Sequence, residues 1–231
     1  MIILTVMGNP HNGNTKAVTD LFLAEFERNE AEIDDIVLPQ DMPELCVGCA
    51  KCILQGEESC PHYAKMERII RRMESADVIV FATPVYAMSC SAAMKNLMDH
   101  LAYMWMNHRP NEKMFRKVGM IITTSGGWGE KDTVKLLRNN LFYMGFSGIH
   151  SYSISTSEME GNFSDCTHKD KIKAQIHKQA EAVKRDLTRR KAGIKTRFYF
   201  SLFRVSQRNS WNKTDSRYWK RKGWLDGKNP F

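Results

Sequence analysis

The sequence predicts an α/β fold, a doubly wound five-stranded parallel sheet in the order 2-1-3-4-5. Two observations carry that prediction. Short apolar, β-branched runs alternate along the chain with segments of helical period. Polar, glycine-containing loops follow the first and fourth of these runs, and a proline-aromatic loop follows the third. The carboxyl ends of strands are where an open sheet of this kind binds ligands.

Residues 76–100 combine both signals. Val78 to Ala82 suits a strand buried on both faces, and Thr83-Pro84 is expected to end it because proline lacks the backbone donor. Ser91 then opens a helix expected to reach about Met106, with apolar residues at 94, 97, 98 and 101. Upstream, Met1 to Met7 reads as the first strand, followed by a helix to about Arg28, and Ile33 to Leu38 as the second strand. Lys65 to Met73 is an amphipathic helix. Downstream, Lys117 to Thr123 reads as a strand, Lys131 to Met144 as a helix, Ile149 to Ile154 as the last strand and Asp170 to Leu187 as a charged helix. Methionines 98, 104 and 106 with Trp105 read as core filling or a dimer seam, and lone Cys90 as a small buried hydrophobe. The connection holding Met159, Glu160, Phe163, Cys166 and His168 carries no readable signal.

The 231 residues can bury one good core with an appendage. No apolar run approaches the roughly 18 residues of a membrane-spanning helix. The chain opens on strand-like residues without a basic region or cleavage site, so a cytoplasmic protein is expected. The net charge of +8 is uneven: residues 184–231 hold 15 Lys/Arg against 3 Asp, a net of +12, and the rest carries −4. The expected division is 1–190 for the sheet domain and 191–231 for a basic, aromatic C-terminal extension. Arg197 to Arg204 reads as a short amphipathic helix, and Trp211, Tyr218, Trp219 and Trp224 follow. Docking of these aromatics on the fold or on a second subunit is the favoured reading. A membrane-surface helix and single-stranded nucleic acid are weaker ones, without a supporting motif.

Chemistry concentrates in four loops. Gly8-Asn9-Pro10-His11-Asn12-Gly13-Asn14-Thr15 lies between the first strand and a helix N-terminus, where unpaired amides and the helix dipole favour a phosphate. Asn14 stands where a Walker A loop has lysine, so triphosphate chemistry is disfavoured. Cys46-x-x-Cys49-x-x-Cys52-x7-Cys60 is inserted after the second strand, in loop 46–60. Four cysteines so close together in a reducing compartment point to metal, and two short steps suit an iron–sulfur cluster. Zinc and reduced thiols that hold no cluster are the alternatives. Pro84-Val85-Tyr86-Ala87-Met88 follows the third strand, and Thr124-Ser125-Gly126-Gly127-Trp128 the fourth. The paired glycines let a backbone approach a flat ring.

These residues resemble a known family. Pro84-Val85-Tyr86, then Ser91-Ala92, Lys95 and Asp99, are similar to the flavin loop of flavodoxin-like NAD(P)H-dependent FMN reductases, with the iron–sulfur flavoproteins nearest. The likeness spans roughly residues 1–155 at motif level. It departs at His100, where the family usually has arginine, and at Ala64-Lys65, where an acidic pair usually precedes methionine. The resemblance implies FMN, with Gly8, His11, Gly13, Asn14 and Thr15 at its phosphate and the Pro84 and Thr124 loops at its ring, where Trp128 stacks on the ring or covers its edge. It implies a 4Fe-4S cluster on Cys46, Cys49, Cys52 and Cys60, NAD(P)H or a reduced ferredoxin-like protein as donor, and a homo-oligomer. No acid–base residue is assigned, since hydride transfer needs none. The alternatives are an electron carrier without a turnover substrate and a cysteine-based redox sensor or binding protein.

Overall fold

Strands β1 (Ile2–Met7), β3 (Val78–Tyr86) and β5 (Val118–Ser125) are apolar on both faces and lie in the middle of the sheet. The more polar β2 (Glu32–Val37) and β6 (Gly148–Ser155) take its edges. The computed structural model describes residues 1–27, 31–41 and 44–231. The five strands run parallel in the order β2-β1-β3-β5-β6, and a two-residue strand β4 (Ser89–Cys90) pairs antiparallel with the end of β3. With β4 set aside, this is the predicted order 2-1-3-4-5.

Alternating residues of the central strands feed two cores. Helices α1 (Asn14–Glu27) and α6 (Lys169–Arg189) bury Val18, Phe22, Ile172 and Ile176 with Ile3, Val78 and Val80. On the opposite face α3 (Tyr63–Ser75), α4 (Ala92–His100) and α5 (Glu130–Met144) bury Ile69, Leu97 and Leu141 with Leu4, Ile79 and Phe81. Cys90 is buried here too, as a small hydrophobe.

Two boundaries differ from expectation. β3 does not stop at Thr83-Pro84 but runs on to Tyr86, with Pro84 paired to Thr124. The Ala82 carbonyl accepts from the Gly8 N–H on the β1 side, so Pro84, two residues on, also faces that side. There the ladder with β1 has ended at Met7, and the Gly8 carbonyl is taken by the Ser91 hydroxyl at 2.6 Å. A missing N–H therefore costs nothing at that point. Helix α4 is capped by the Ser91 side chain, which accepts from the Met94 N–H, and ends at His100 rather than near Met106. A single 3₁₀ turn, Ala102–Met104, redirects the chain so that Trp105 stacks on Tyr143 (5.3 Å) and the Met106 N–H reaches the Tyr143 carbonyl at 2.7 Å. The other boundaries of the sheet domain agree within about two residues, whereas the helix expected over Arg197 to Arg204 runs longer, Ile194–Arg208; the Arg28 end of the first helix lies outside the described residues.

The C-terminal extension forms α7 (Ile194–Arg208) and α8 (Lys213–Arg221). Phe200, Trp219 and Trp224 pack with Met106 and Phe115 as a third core. Phe200 stacks on Trp219 at 4.7 Å, and the Trp219 indole donates to the His108 carbonyl at 2.6 Å. Along its outer side α7 leaves Ile194, Phe198, Leu202 and Val205 exposed. None of the described helices is long and apolar enough to cross a membrane. Removing residues 192–231 uncovers Met106 and Phe115, so the truncated chain is expected to aggregate. Size-exclusion chromatography checks this; a well-behaved truncated protein would mean the extension is dispensable to the fold.

Candidate functional site

Three loops meet at the carboxyl edge of the sheet, tied by side chains from different elements. Thr15, at the start of α1, lies 2.6 Å from Thr124 at the end of β5, hydroxyl to hydroxyl. The Ser91 hydroxyl joins the loop after β3 to Gly8. Gly8 must be glycine, because a Cβ there would stand 2.8 Å from both the Ser91 and Thr83 hydroxyl oxygens. Gly129 closes the triangle. Its φ of 89° suits glycine, and a Cβ would come within 2.8 Å of Val85 and 3.0 Å of the Met88 backbone.

Each loop presents backbone to the rim. In the first, His11 and Gly13 are exposed, and nothing lies within 4 Å of where a Cβ on Gly13 would be. The Asn9 Oδ1 is buried without a partner, which is costly unless a ligand or water supplies a donor. In the second, Ala87 and Met88 adopt left-handed conformations, φ 48° and 65°, where neither is a glycine. Such backbone costs about 1–2 kcal/mol per residue and collects at ligand-binding turns. It leaves Tyr86 and Met88 half exposed beside buried Pro84. In the third, the Ser125 hydroxyl accepts from the Gly127 N–H at 2.8 Å and donates to Glu130, fixing the open Gly126-Gly127 backbone. Trp128 is 79% exposed.

Asn14 does something the sequence did not announce. Its amide donates to the Gly161 carbonyl (3.1 Å) and accepts from the Phe163 N–H (3.0 Å), so the uninterpreted connection after β6 folds against the first loop. Buried Met159 and Cys166 anchor that connection. The Thr15 hydroxyl points inward to Thr124, leaving the backbone amides of the first turn of α1 as the groups open to an anion.

The cysteine loop lies beside this rim and is held from below. Its four cysteines are free thiols, Cys46 and Cys49 exposed, Cys52 and Cys60 half-buried. Left-handed turns at Gly48, Ala50 and Gly56 wind it around α2 (Lys51–Leu54). The Cys46 N–H donates to the Asn96 side chain on α4 at 2.9 Å. Burial pushes the Cys52 thiol up, and Cys60, Cys46 and Cys49 nearby push it further. Buried Arg109 carries the floor. Its guanidinium donates to the Cys52 and Ile53 carbonyls, to Glu57 and to Asp215 on α8. Asn212 and Thr214 reach the Ile53 and Leu54 carbonyls at 2.9 and 2.7 Å.

Among the described residues, one set of potential metal donors comes within 4.8 Å of one another: Cys60, His62 and His100. His62 Nδ1 faces His100 Nε2 at 2.9 Å, and His100 Nδ1 sits 2.9 Å from the Asn96 carbonyl. Burial holds the His100 ring below the ordinary histidine range. The two histidines lie 38 positions apart, so only the fold brings them together.

A parallel sheet with three such loops at its switch point defines a nucleotide- or flavin-binding α/β protein. The profile of the NADPH-dependent FMN reductases matches residues 1–160, and the chain belongs to that family. It is 30% identical to an iron-sulfur flavoprotein of Archaeoglobus fulgidus over 131 residues, 56% of this chain and 56% of that one, so the match spans little more than half of the relative. It is 23% identical to the NADPH azoreductase of a Bacillus strain over 155 residues, covering 67% of this chain and 73% of that protein. Among solved structures it resembles the apo form of the NADH:FMN oxidoreductase EMOB, with a TM-score of 0.56 and 22% identity over 79% and 87% of the two chains. That likeness bears on the fold alone.

Proposed function

We propose that this chain is an FMN-dependent oxidoreductase whose electrons come from NAD(P)H and leave by way of the cysteine loop. The observation that carries the reading is the three-way junction Thr15–Thr124, Ser91–Gly8 and Gly129–Met88, which holds an anion-binding helix start beside two strained or glycine-rich backbone segments. FMN, when bound, exchanges a hydride or single electrons, and that chemistry belongs to the cofactor. The residues fit it. The orphaned Asn9 oxygen needs a donor, the space over Gly13, Gly126 and Gly127 is open, and α1 offers its amides to a phosphate. His11, Gly13, Asn14 and Thr15 would hold the phosphate, and 84–88 with 124–127 would line the ring. Trp128 and Tyr86 are the exposed aromatics that would shield it from water.

The thiols of Cys46, Cys49, Cys52 and Cys60 fit a soft metal group in donor type, and a 4Fe-4S cluster there would add a one-electron store. The archaeal relative's name, iron-sulfur flavoprotein, supports that assignment. Six free cysteines suit a reducing cytoplasm. The apolar stripe of α7 supports a homo-oligomer. The domain division at 190/191 is kept as part of this proposal.

The test is anaerobic purification followed by flavin and iron assays and addition of NADPH. About one FMN per chain, bleached by NADPH, is the expected result. A chain that takes up no FMN at micromolar concentration defeats the reading. Flavin that NADPH leaves oxidised but a reduced ferredoxin bleaches would make it an electron carrier.

A further inference from the structure

We propose that Cys60, His62 and His100 form a mononuclear site for a borderline divalent cation of the zinc type, separate from a four-thiolate cluster and exclusive of it. One thiol and two imidazoles within 4.8 Å of one another are the donor set such cations take. The outer contact of His100 is that of a ligating histidine. The His100 Nδ1–H is committed to the Asn96 carbonyl on its own helix, 2.9 Å away, which leaves the Nε2 lone pair aimed into the cluster of donors. His62 turns Nδ1 to the same point, and its far nitrogen lies 3.7 Å from the Glu44 carboxylate. The two facing nitrogens are hydrogen-bonded to each other, and a cation bound there takes the place of that shared proton; the second nitrogen of His100 is held by the Asn96 carbonyl, while that of His62 lies near Glu44 but beyond hydrogen-bond reach.

The scaffold is rigid where it needs to be. His100 ends α4 and is buried, and Asn96 one turn earlier also holds the Cys46 N–H, so one helix fixes both the histidine and the start of the cysteine loop. His62 and Cys60 sit together at the start of α3. Proton balance is simple. Cys60 loses its thiol proton to solvent, and the proton shared between the rings moves to the far nitrogen of His62, opposite Glu44. One proton is released per cation.

Cys60 is also the last thiol of the four-cysteine set. It cannot serve both groups, so occupancy by zinc blocks a cluster on the loop. This inference rests on the reading of that loop as metal-binding and is independent of the flavin.

The experiment is an anaerobic Co²⁺ titration of the reduced full-length chain, with FMN binding measured on the same samples. The Cys46→Ser/Cys49→Ser double variant cannot hold a four-thiolate cluster. It is expected to bind one Co²⁺ with tetrahedral visible bands and a thiolate charge-transfer band, displaced by one equivalent of Zn²⁺. His100→Asn, and the more accessible His62→Ala should His100→Asn fail to fold, are expected to weaken Co²⁺ at least about 10-fold, since even outer partners of metal ligands cost that much. Cobalt bands lost with Cys46 and Cys49, unchanged in both histidine variants, or absent from the unmodified chain would each overturn the proposal. Failure of FMN binding with cobalt binding intact would instead defeat the flavin reading and leave this site standing.

Discussion

Replacing Asp215 with alanine is expected to lower stability by about 3–5 kcal/mol, the usual cost of stranding one partner of a buried ion pair. Asp215 is 1% exposed and takes contacts from Arg109, from His108 at 2.8 Å and from Asn212 at 2.8 Å. Without it, the buried guanidinium keeps only half-buried Glu57 and two carbonyls. Urea unfolding gives the number. Hydrogen exchange gives the location, with faster exchange expected in residues 52–55, because Arg109, Asn212 and Thr214 hold the carbonyls of Cys52, Ile53 and Leu54. The paired replacement Arg109→Met/Asp215→Leu removes both charges and should recover much of the loss, because a well-packed apolar pair can replace a buried ion pair with little penalty. A loss below about 1 kcal/mol in Asp215→Ala, the range of exposed ion pairs, would mean that the extension does not support the cysteine loop.

Asn14→Asp is expected to weaken FMN by roughly 100-fold, or about 3 kcal/mol. The change is isosteric. An aspartate still accepts from the Phe163 N–H but loses the bond to the Gly161 carbonyl, a loss worth about 1 kcal/mol to the fold. What it adds is a negative charge at the helix start, against a phosphate. Asn14→Ala separates the two effects, since it frees the 161–163 segment without adding charge. Quenching of flavin fluorescence on titration reads both. Equal weakening in the two variants would assign the effect to the segment after β6, and unchanged affinity in Asn14→Asp would remove the first loop from the phosphate site.

How far the sequence reached depends on the range of the interaction involved. The central strands were legible because the continuous apolar runs at Ile2–Met7, Val78–Ala82 and Val118–Ile122 are local patterns, and their order follows from their alternation with helices. The rim loops were legible because they follow those runs. Pro84 misled because its effect depends on a neighbour. It stops a strand only where a partner needs its N–H, and β1 has already ended there. The end of α4 was missed because apolar residues at 101, 104 and 105 continue a helical period, whereas Tyr143 on another helix draws the chain away. Asn14 with 161–163, His62 with His100 and Arg109 with Asp215 join residues 38 to 149 positions apart, and no local pattern encodes such pairs. For the pairing of Cys60 with the histidines, the one local signal was its C-x-H spacing to His62.

The clamp at Arg109 also makes the extension a gauge of the cysteine loop. Any ion or group that binds the folded loop and not the unfolded chain adds RT ln(1 + [L]/Kd) to the stability of everything folding with it. Through Arg109 and Asp215 that includes α8 and the buried indoles of Trp219 and Trp224. The far end of the chain thus carries its own optical record of whether the thiols near the middle are filled: a thermal melt followed by tryptophan emission shifts with the occupancy of a site to which neither tryptophan belongs.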